Sequence, residues 1–174
     1  MKFKVIACIN QRLCLGNEGK LCYHISSDLQ NFKRITLNNV VIMGRKTFET
    51  LPKRPLINRI NIVITNNKEY KAEGCYVVHS IEECIELCER EFYMYDCYVI
   101  GGGKIYEEFI NRKLVDTMYI TEVTDSMEGD AYFPNVLMNK EEWRIFYRTD
   151  TQHDKPSGLC YYFTIYKENN VKED

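Results

Sequence analysis

The feature that most constrains the fold is a pair of short segments that are apolar on both faces. Residues 40–43 (VVIM) and 62–64 (IVI) contain no polar side chain. A strand with one face in water would instead alternate apolar and polar residues. Strands that are apolar throughout need cover on both sides, which helices on the two faces of a parallel sheet provide. The sequence therefore predicts an α/β protein with a mostly parallel central sheet.

Strand-like and helix-like patterns alternate along the rest of the chain. Strands are predicted at residues 3–9, 40–43, 60–65, 76–79, 98–100, 118–123, 143–149 and 160–166, and helices at 28–37, 46–51, 81–89 and 104–110. Ser27 with Gln30 and Ser80 with Glu83 have the spacing of a capping box at a helix start. The last strands have no helix between them, which predicts an antiparallel edge. We expect one domain at 1–168 and a polar tail at 169–174.

The composition argues against several classes of protein. Lys and Arg number 23 against 25 Asp and Glu, a formal net charge of −2. A nucleic-acid-binding or membrane-surface protein would carry an excess of basic residues. No apolar run approaches the roughly 20 residues that span a bilayer, and the apolar run at the N-terminus is too short for a signal peptide. We therefore expect a soluble protein of the cytoplasm.

The 8 cysteines admit two interpretations. An even number can indicate disulfides, but disulfide frameworks are typical of short secreted chains. There is no C-x-x-C pair and the 3 histidines show no ligand spacing, so we expect no metal site. Several cysteines replace apolar residues inside strand-like or helix-like runs, which favours buried, reduced thiols.

Two turns that contain glycine join a buried strand to a helix. Gly101–Gly103 follow one strand, where the missing Cβ atoms let a ligand approach the backbone and the helix offers free N–H groups to a phosphate. Gly44 follows another strand and precedes Arg45 and Lys46, two cations that oppose the dipole of the helix they begin. A bound anion would explain them. A tight turn in the first case and solvated charge in the second remain the alternatives.

Two charged residues could bind the polar parts of a ligand. Asp28 begins a helix with Phe32 and Ile35 on the same face, which would place a carboxylate in an apolar cleft. Arg54 and Arg59 flank a short loop, and arginine can grip a carboxylate through two hydrogen bonds. Stabilisation of the helix dipole by Asp28 and ordinary surface charge on the arginines are the alternative interpretations.

These pieces occur together in an order that resembles the dihydrofolate reductase family, from Met1 to about Tyr166. The matching segments are 5–7 (VIA), 15–16 (LG), 28–33 (DLQNFK), 41–48 (VIMGRKTF), 100–103 (IGGG) and 128–134 (EGDAYFP). The resemblance implies a three-layer fold with helices on both faces of a mixed sheet. It also implies NADPH-dependent reduction of 7,8-dihydrofolate to tetrahydrofolate, in one-carbon and thymidylate/purine metabolism. A hydride would pass from nicotinamide C4 to pterin C6, and N5 would be protonated.

The resemblance also implies roles for single residues. Asp28 would hydrogen-bond the pterin, Thr121 would support its carboxylate, and Arg59 would hold the glutamate α-carboxylate of folate. The other implied substrate-binding residues are Ile6, Ala7, Leu21, Leu29, Phe32, Leu51, Leu56, Ile100 and Tyr106. The implied NADPH-binding residues are Ala7, Leu15, Gly16, Asn17, Gly44, Arg45, Lys46, Thr47, Thr65, Asn66, Ile100, Gly101, Gly102, Gly103, Lys104, Ile105 and Tyr106. The Gly101–Gly102 bond would be cis, and residues 17–24 would form a mobile loop over the nicotinamide.

One residue departs from the family pattern. Tyr23 stands where the family usually has a tryptophan whose indole N–H holds a water near the pterin. A phenol could hold such a water too, which would make Tyr23 a catalytic residue, or it could only fill volume. By the resemblance we expect a monomer that binds diaminopyrimidine and pteridine antifolates, without nucleic acid or membrane partners. The rival interpretations are the reductase of riboflavin synthesis and a non-catalytic nucleotide-binding protein.

Overall fold

The apolar segments of the sequence form the middle of a long mixed sheet in the computed structural model, which describes residues 1–169. In chain order the elements are β1 (Phe3–Asn10), β2 (Cys14–Asn17), β3 (Lys20–Leu21), α1 (Ser26–Thr36), β4 (Val40–Gly44), α2 (Arg45–Thr50), β5 (Ile60–Ile64), β6 (Tyr76–Val78), α3 (Ile81–Glu91), β7 (Cys97–Gly101), α4 (Gly103–Asn111), β8 (Val115–Val123), β9 (Ala131–Tyr132), β10 (Trp143–Arg148), β11 (Gln152–Asp154) and β12 (Leu159–Glu168). The polar tail predicted at 169–174 lies, apart from Asn169, outside the described residues.

The strand order of the main sheet is β10-β12-β8-β1-β7-β4-β5-β6, with β11 beside β12. The strands from β8 to β6 along this order run parallel to their neighbours. Strand β12 is antiparallel to β8, β10 and β11. A mostly parallel sheet with an antiparallel C-terminal edge is therefore confirmed. Strands β3, β2 and β9 form a second, small sheet.

Successive residues of β4 point to opposite faces of the sheet, as a strand requires. Val40 and Ile42 belong to the core that α3 and α4 cover, where the rings of Phe3 and Phe109 meet edge to face at 5.0 Å between centroids. Val41 and Met43 pack on the other side with Phe48 of α2. Helices therefore cover both faces, and the three-layer fold is confirmed.

One of the two predicted helix starts is correct. Ser80 is the N-cap of α3, and its Oγ accepts a hydrogen bond from the backbone N–H of Glu83 at 3.0 Å. Helix α1 begins earlier than predicted, at Ser26. Its N-cap is Ile25, and no side chain forms a capping hydrogen bond. The capping box at Ser27 is therefore wrong. Asp28 nevertheless lies in the first turn of α1.

The cysteines are only partly as expected. Cys8, Cys75, Cys84, Cys88, Cys97 and Cys160 are free. Cys14 and Cys22 are joined in a disulfide, with their Cα atoms 6.9 Å apart, so the expectation of reduced thiols is wrong for this pair. The reason is the chain reversal through β2 and β3, which brings the two residues together. Among residues 1–169, no group of His, Cys, Asp and Glu is arranged to hold a metal ion, and no helix is long and apolar enough to cross a membrane.

Candidate active site

A cleft of about 1630 Å³ opens where β1, β4, β5 and β7 end. The carboxyl ends of parallel strands are the usual place for a ligand in an α/β sheet. The cleft is lined by nearly all the residues predicted to bind a ligand. These lining residues are Ile6, Ala7, Leu15, Gly16, Leu21, Asp28, Leu29, Phe32, Gly44, Arg45, Lys46, Thr47, Leu51, Leu56, Arg59, Thr65, Asn66, Ile100, Gly101, Gly102, Gly103, Lys104, Ile105 and Tyr106. Their individual roles in binding stay predictions.

The acidic end of the cleft is built by α1 and two neighbouring strands. Helix α1 places Asp28 there, and Thr121 of β8 donates a hydrogen bond from its Oγ1 to Oδ1 of Asp28 at 2.5 Å. Burial raises the pKa of Asp28 above its ordinary value, and the hydrogen bond from Thr121 opposes that shift. Cys8 is the partner of Thr121 in the register of β1 and β8. Burial and the charge of Asp28 raise the pKa of the Cys8 thiol, so this thiol stays protonated.

Arg59 lies at another part of the cleft, on the segment that leads into β5. Its Nη1 donates to Oγ1 of Thr36 at 3.2 Å, its Nε donates to the carbonyl of Ile57 at 3.1 Å, and its guanidinium lies 5.7 Å from the centre of the Phe32 ring. Burial lowers the pKa of Arg59, although a guanidinium remains charged at any physiological pH. No carboxylate of residues 1–169 forms an ion pair with it. The arrangement orients Arg59 and leaves its charge for a ligand.

The two glycine turns lie side by side. A Cβ on Gly102 would lie 3.3 Å from Oγ1 of Thr47, and a Cβ on Gly103 would lie 2.7 Å from the carbonyl oxygen of Tyr132. Gly101 has a φ of +118°, a conformation that favours glycine. The Gly101–Gly102 bond is cis, as the resemblance implied. A side chain at these positions would press against neighbouring atoms. Because the glycines have no side chain, the backbone of the turn faces the cleft.

Basic side chains outnumber acidic ones around the cleft. The basic lining residues are Lys20, Lys33, Arg45, Lys46, Arg59 and Lys104, and the acidic ones are Asp28, Glu107 and Asp130. Arg45 packs over the ring of Tyr70 at 5.8 Å, which holds it beside the first turn of α2. Thr65 and Asn66 follow directly on β5, the neighbour of β4. A chain of formal net charge −2 thus places local positive charge where an anionic ligand would bind.

Sequence reasoning missed several lining residues. They are Cys8, Lys33, Thr50, Pro52, Ile64, Asn67, Glu107, Asp130, Ala131, Tyr132, Phe133 and Pro134, whereas Gly19, Lys20 and His24 belong to the loop that the resemblance placed over the nicotinamide. A signal existed for Lys33, which is four residues after Leu29 and therefore on the same face of α1. For residues 130–134 the signal was weaker, because only the pairing of β9 with β2 brings them to the cleft.

Three of the predicted site residues do not line the cleft. They are Asn17, Tyr23 and Thr121. Thr121 reaches it through Asp28. The catalytic role expected for Tyr23 stays a prediction, although its hydroxyl is bonded to protein groups and not directed into the cleft. Its hydroxyl donates to Oδ2 of Asp125 at 2.5 Å and accepts from Nδ2 of Asn10 at 2.8 Å. The phenol is thus satisfied by protein groups outside the cleft.

Comparison with known proteins decides the family. The family model described as dihydrofolate reductase matches residues 2–168. The chain belongs to the dihydrofolate reductase family. It is 37% identical to the dihydrofolate reductase of Neisseria gonorrhoeae, with 95% of this chain and 98% of the relative covered. It is 33% identical to that of Bacillus subtilis, with 90% and 88% covered.

A solved dihydrofolate reductase has the same fold. The enzyme of Enterococcus faecalis, in complex with NADP(H) and RAB-propyl, matches with a TM-score of 0.84 and 32% identity, over 97% of each chain. The family and the fold expected from the sequence are therefore confirmed. The dihydrofolate reductase family is a family of NADP-dependent oxidoreductases, which confirms the expected class of enzyme.

Proposed function

We propose that this chain reduces 7,8-dihydrofolate to 5,6,7,8-tetrahydrofolate with NADPH. The observation that carries the proposal is the hydrogen bond between half-buried Asp28 and buried Thr121, at one end of a cleft whose other part contains two glycine turns and several cations. A carboxylate in such a position suits a flat, nitrogen-rich ring. The relative from Enterococcus faecalis, which binds NADP(H), supports the choice of cofactor.

The residues around the glycine turns fit a dinucleotide phosphate. The backbone of Gly101–Gly103 carries no side chains, and Arg45 and Lys46 lie beside it on the turn after β4. Thr65 and Asn66, after the next strand, would contact the 2′-phosphate that distinguishes NADPH from NADH. Arg45 would reach the same 2′-phosphate, since a charged donor pairs strongly with phosphate oxygens. When bound, NADPH supplies the hydride that pterin C6 receives.

Asp28 is the residue that acts on the pterin. Its carboxylate accepts hydrogen bonds from the ring, and its negative charge favours the pterin that carries a proton at N5. Thr121 fixes the direction of the carboxylate through the hydrogen bond at Oδ1. Water in the cleft supplies the proton. The protein thus contributes alignment and electrostatics, and the cofactor contributes the redox chemistry.

Arg59 binds the other end of the substrate. Its guanidinium is held by Thr36 and Phe32 and has no carboxylate partner within residues 1–169. The α-carboxylate of the glutamate tail would form an ion pair with this guanidinium. Leu29, Leu51 and Leu56 form the apolar wall of this cleft, which suits the aminobenzoate ring between pterin and glutamate.

The finer properties follow from the same proposal. Residues 1–168 act as one domain and as a monomer, because one chain supplies both ends of the cleft. The protein works in the cytoplasm, which the 6 free cysteines support. Diaminopyrimidine and pteridine antifolates compete for the cleft, since their rings offer Asp28 the same N–H donors as the pterin.

The test is the loss of NADPH absorbance in the presence of dihydrofolate. The purified chain should oxidise NADPH only when dihydrofolate is present, and NADH should be a much poorer cofactor. A pyrimidine ribose phosphate of the kind reduced in riboflavin synthesis is the matched control substrate. Turnover of that control in place of dihydrofolate would replace the proposal with the rival reductase, and binding of NADPH without turnover would indicate a non-catalytic nucleotide-binding protein.

A further inference from the structure

Besides the disulfide of Cys14 and Cys22, one buried side chain, Asn10, holds the base of the segment that closes one side of the cleft. This segment, the β2–β3 hairpin of residues 14–22, contributes Leu15, Gly16, Lys20 and Leu21 to the cleft lining. Asn10, which is 3% exposed, stands at the end of β1 below it. Its Oδ1 accepts hydrogen bonds from the backbone N–H groups of residues 12 and 14, at 2.9 and 3.0 Å. The start of the hairpin is therefore fixed to Asn10.

The end of the hairpin returns to the same side chain through Tyr23. Nδ2 of Asn10 donates to the hydroxyl of Tyr23 at 2.8 Å and to the carbonyl of Met127 at 2.7 Å. The Tyr23 hydroxyl in turn donates to Oδ2 of Asp125 at 2.5 Å, and the same oxygen accepts from the N–H of Met127 at 3.1 Å. One network therefore joins both ends of the hairpin to residues 125–127, which follow β8.

The ionisation of these groups is consistent with a lasting contact. Burial, followed by the hydrogen bond to Asp125, raises the pKa of Tyr23 to about 12. The hydrogen bond from Tyr23 lowers the pKa of Asp125. The phenol is thus the donor and the carboxylate the acceptor throughout the physiological range. A hydrogen bond to a charged acceptor is also stronger than one between neutral groups.

The geometry points to Tyr23 and Asp125 as positioning residues, which hold the β2–β3 hairpin in place against the cleft while touching no ligand themselves. Tyr23 does not line the cleft, so its effect on the reaction has to pass through the hairpin. The link to catalysis rests on the proposed function, because the hairpin matters for turnover only if the cleft carries out the reduction. The inference that Tyr23 and Asp125 hold the hairpin in place does not rest on the proposed function.

The test is amide hydrogen exchange of residues 15–21. A thiol-free reductant is present, so that the disulfide of Cys14 and Cys22 does not join the two ends of the hairpin. Tyr23→Phe removes one hydroxyl and should speed exchange in this segment roughly 10- to 100-fold, the factor that loss of a hydrogen bond to a charged group produces. Asp125→Ala should do the same, whereas Asp125→Asn keeps an acceptor oxygen and should restore most of the protection. In the double variant Tyr23→Phe/Asp125→Ala, exchange should speed up by less than the product of the two single effects, because both variants remove the same Tyr23–Asp125 hydrogen bond.

A matched control is Tyr161→Phe, which removes a hydroxyl from a buried tyrosine in the same cluster as Tyr23. In the described residues that hydroxyl has no hydrogen-bond partner, so exchange of residues 15–21 should stay at the wild-type rate. Single-turnover reduction should slow in Tyr23→Phe while the KM for dihydrofolate stays near the wild-type value. Unchanged exchange in both Tyr23→Phe and Asp125→Ala would overturn the inference. An inactive wild type with the predicted exchange pattern would instead overturn the proposed function alone.

Discussion

Gly129 packs so closely against the β2–β3 hairpin that the smallest side chain should displace it. A Cβ on Gly129 would overlap the carbonyl oxygen of Gly16 and would lie 2.6 Å from Sγ of Cys14. Gly16 would have to move by roughly 1 Å to restore ordinary contact distances. Overpacking of this kind costs about 1–3 kcal/mol. At about 2–4 °C per kcal/mol for a chain of this size, Gly129→Ala should lower the Tm by roughly 2–12 °C.

Gly129→Ala should also slow the reaction. Because Gly16 lines the cleft, a displacement of roughly 1 Å should slow single-turnover reduction by up to about 100-fold. The matched control is Gly158→Ala, whose φ of +72° makes alanine unfavourable but whose Cβ would meet nothing within 4 Å. That variant should lose about 1–2 kcal/mol of stability and keep the wild-type rate. Equal single-turnover rates for the two variants would refute the argument that a side chain at residue 129 displaces Gly16 and so alters the cleft.

Three further changes test the charged residues of the cleft. Arg59→Ala should weaken dihydrofolate binding by about 2–5 kcal/mol, as loss of a buried charge pair does, and equal weakening of a dihydropterin without the glutamate tail would show a structural role instead. Arg45→Ala should raise the KM for NADPH and leave that for NADH almost unchanged, which steady-state kinetics with both cofactors would reveal. Asp28→Asn should increase the free energy of unfolding at neutral pH. Because the folded pKa of Asp28 is raised, its stabilising contribution is complete below the ordinary value of 3.8 and is lost as the pH rises through the folded value. The advantage of the variant in urea unfolding should therefore grow from acid to neutral pH, and a constant difference would contradict this reasoning.

The sequence could predict the main sheet because its strands have strong local signals. Residues 40–43 are apolar on both faces, and the strand that forms there, β4, differs from the prediction by one residue. The small sheet had no such signal. Strand β3 has only two residues, both exposed, and β9 is held by pairing with β2. Short strands that depend on distant partners cannot be read from local periodicity.

The site shows the same division. Asp28, Gly44 and Gly101–Gly103 were predictable because they stand at the boundaries of helices and strands with unusual chemistry, and all of them line the cleft. Tyr23 was not predictable in the same way, because its partners Asn10 and Asp125 are 13 and 102 residues away in the chain. The direction in which a buried hydroxyl points depends on those tertiary contacts and on nothing in its neighbourhood in sequence.

The most direct test of the central claim is the pH dependence of kcat/KM for dihydrofolate in the wild type and in Asp28→Asn. The claim is that one half-buried carboxylate, that of Asp28, acts on the pterin. At neutral pH, Asp28→Asn should lose roughly 10²–10⁴-fold in kcat/KM, as removal of an essential acid–base or electrostatic group does, while its affinity for NADPH stays near the wild-type value. The loss should shrink as the pH falls, because a substrate protonated by the solvent no longer needs the carboxylate. Near-normal turnover of the variant at neutral pH would contradict the account.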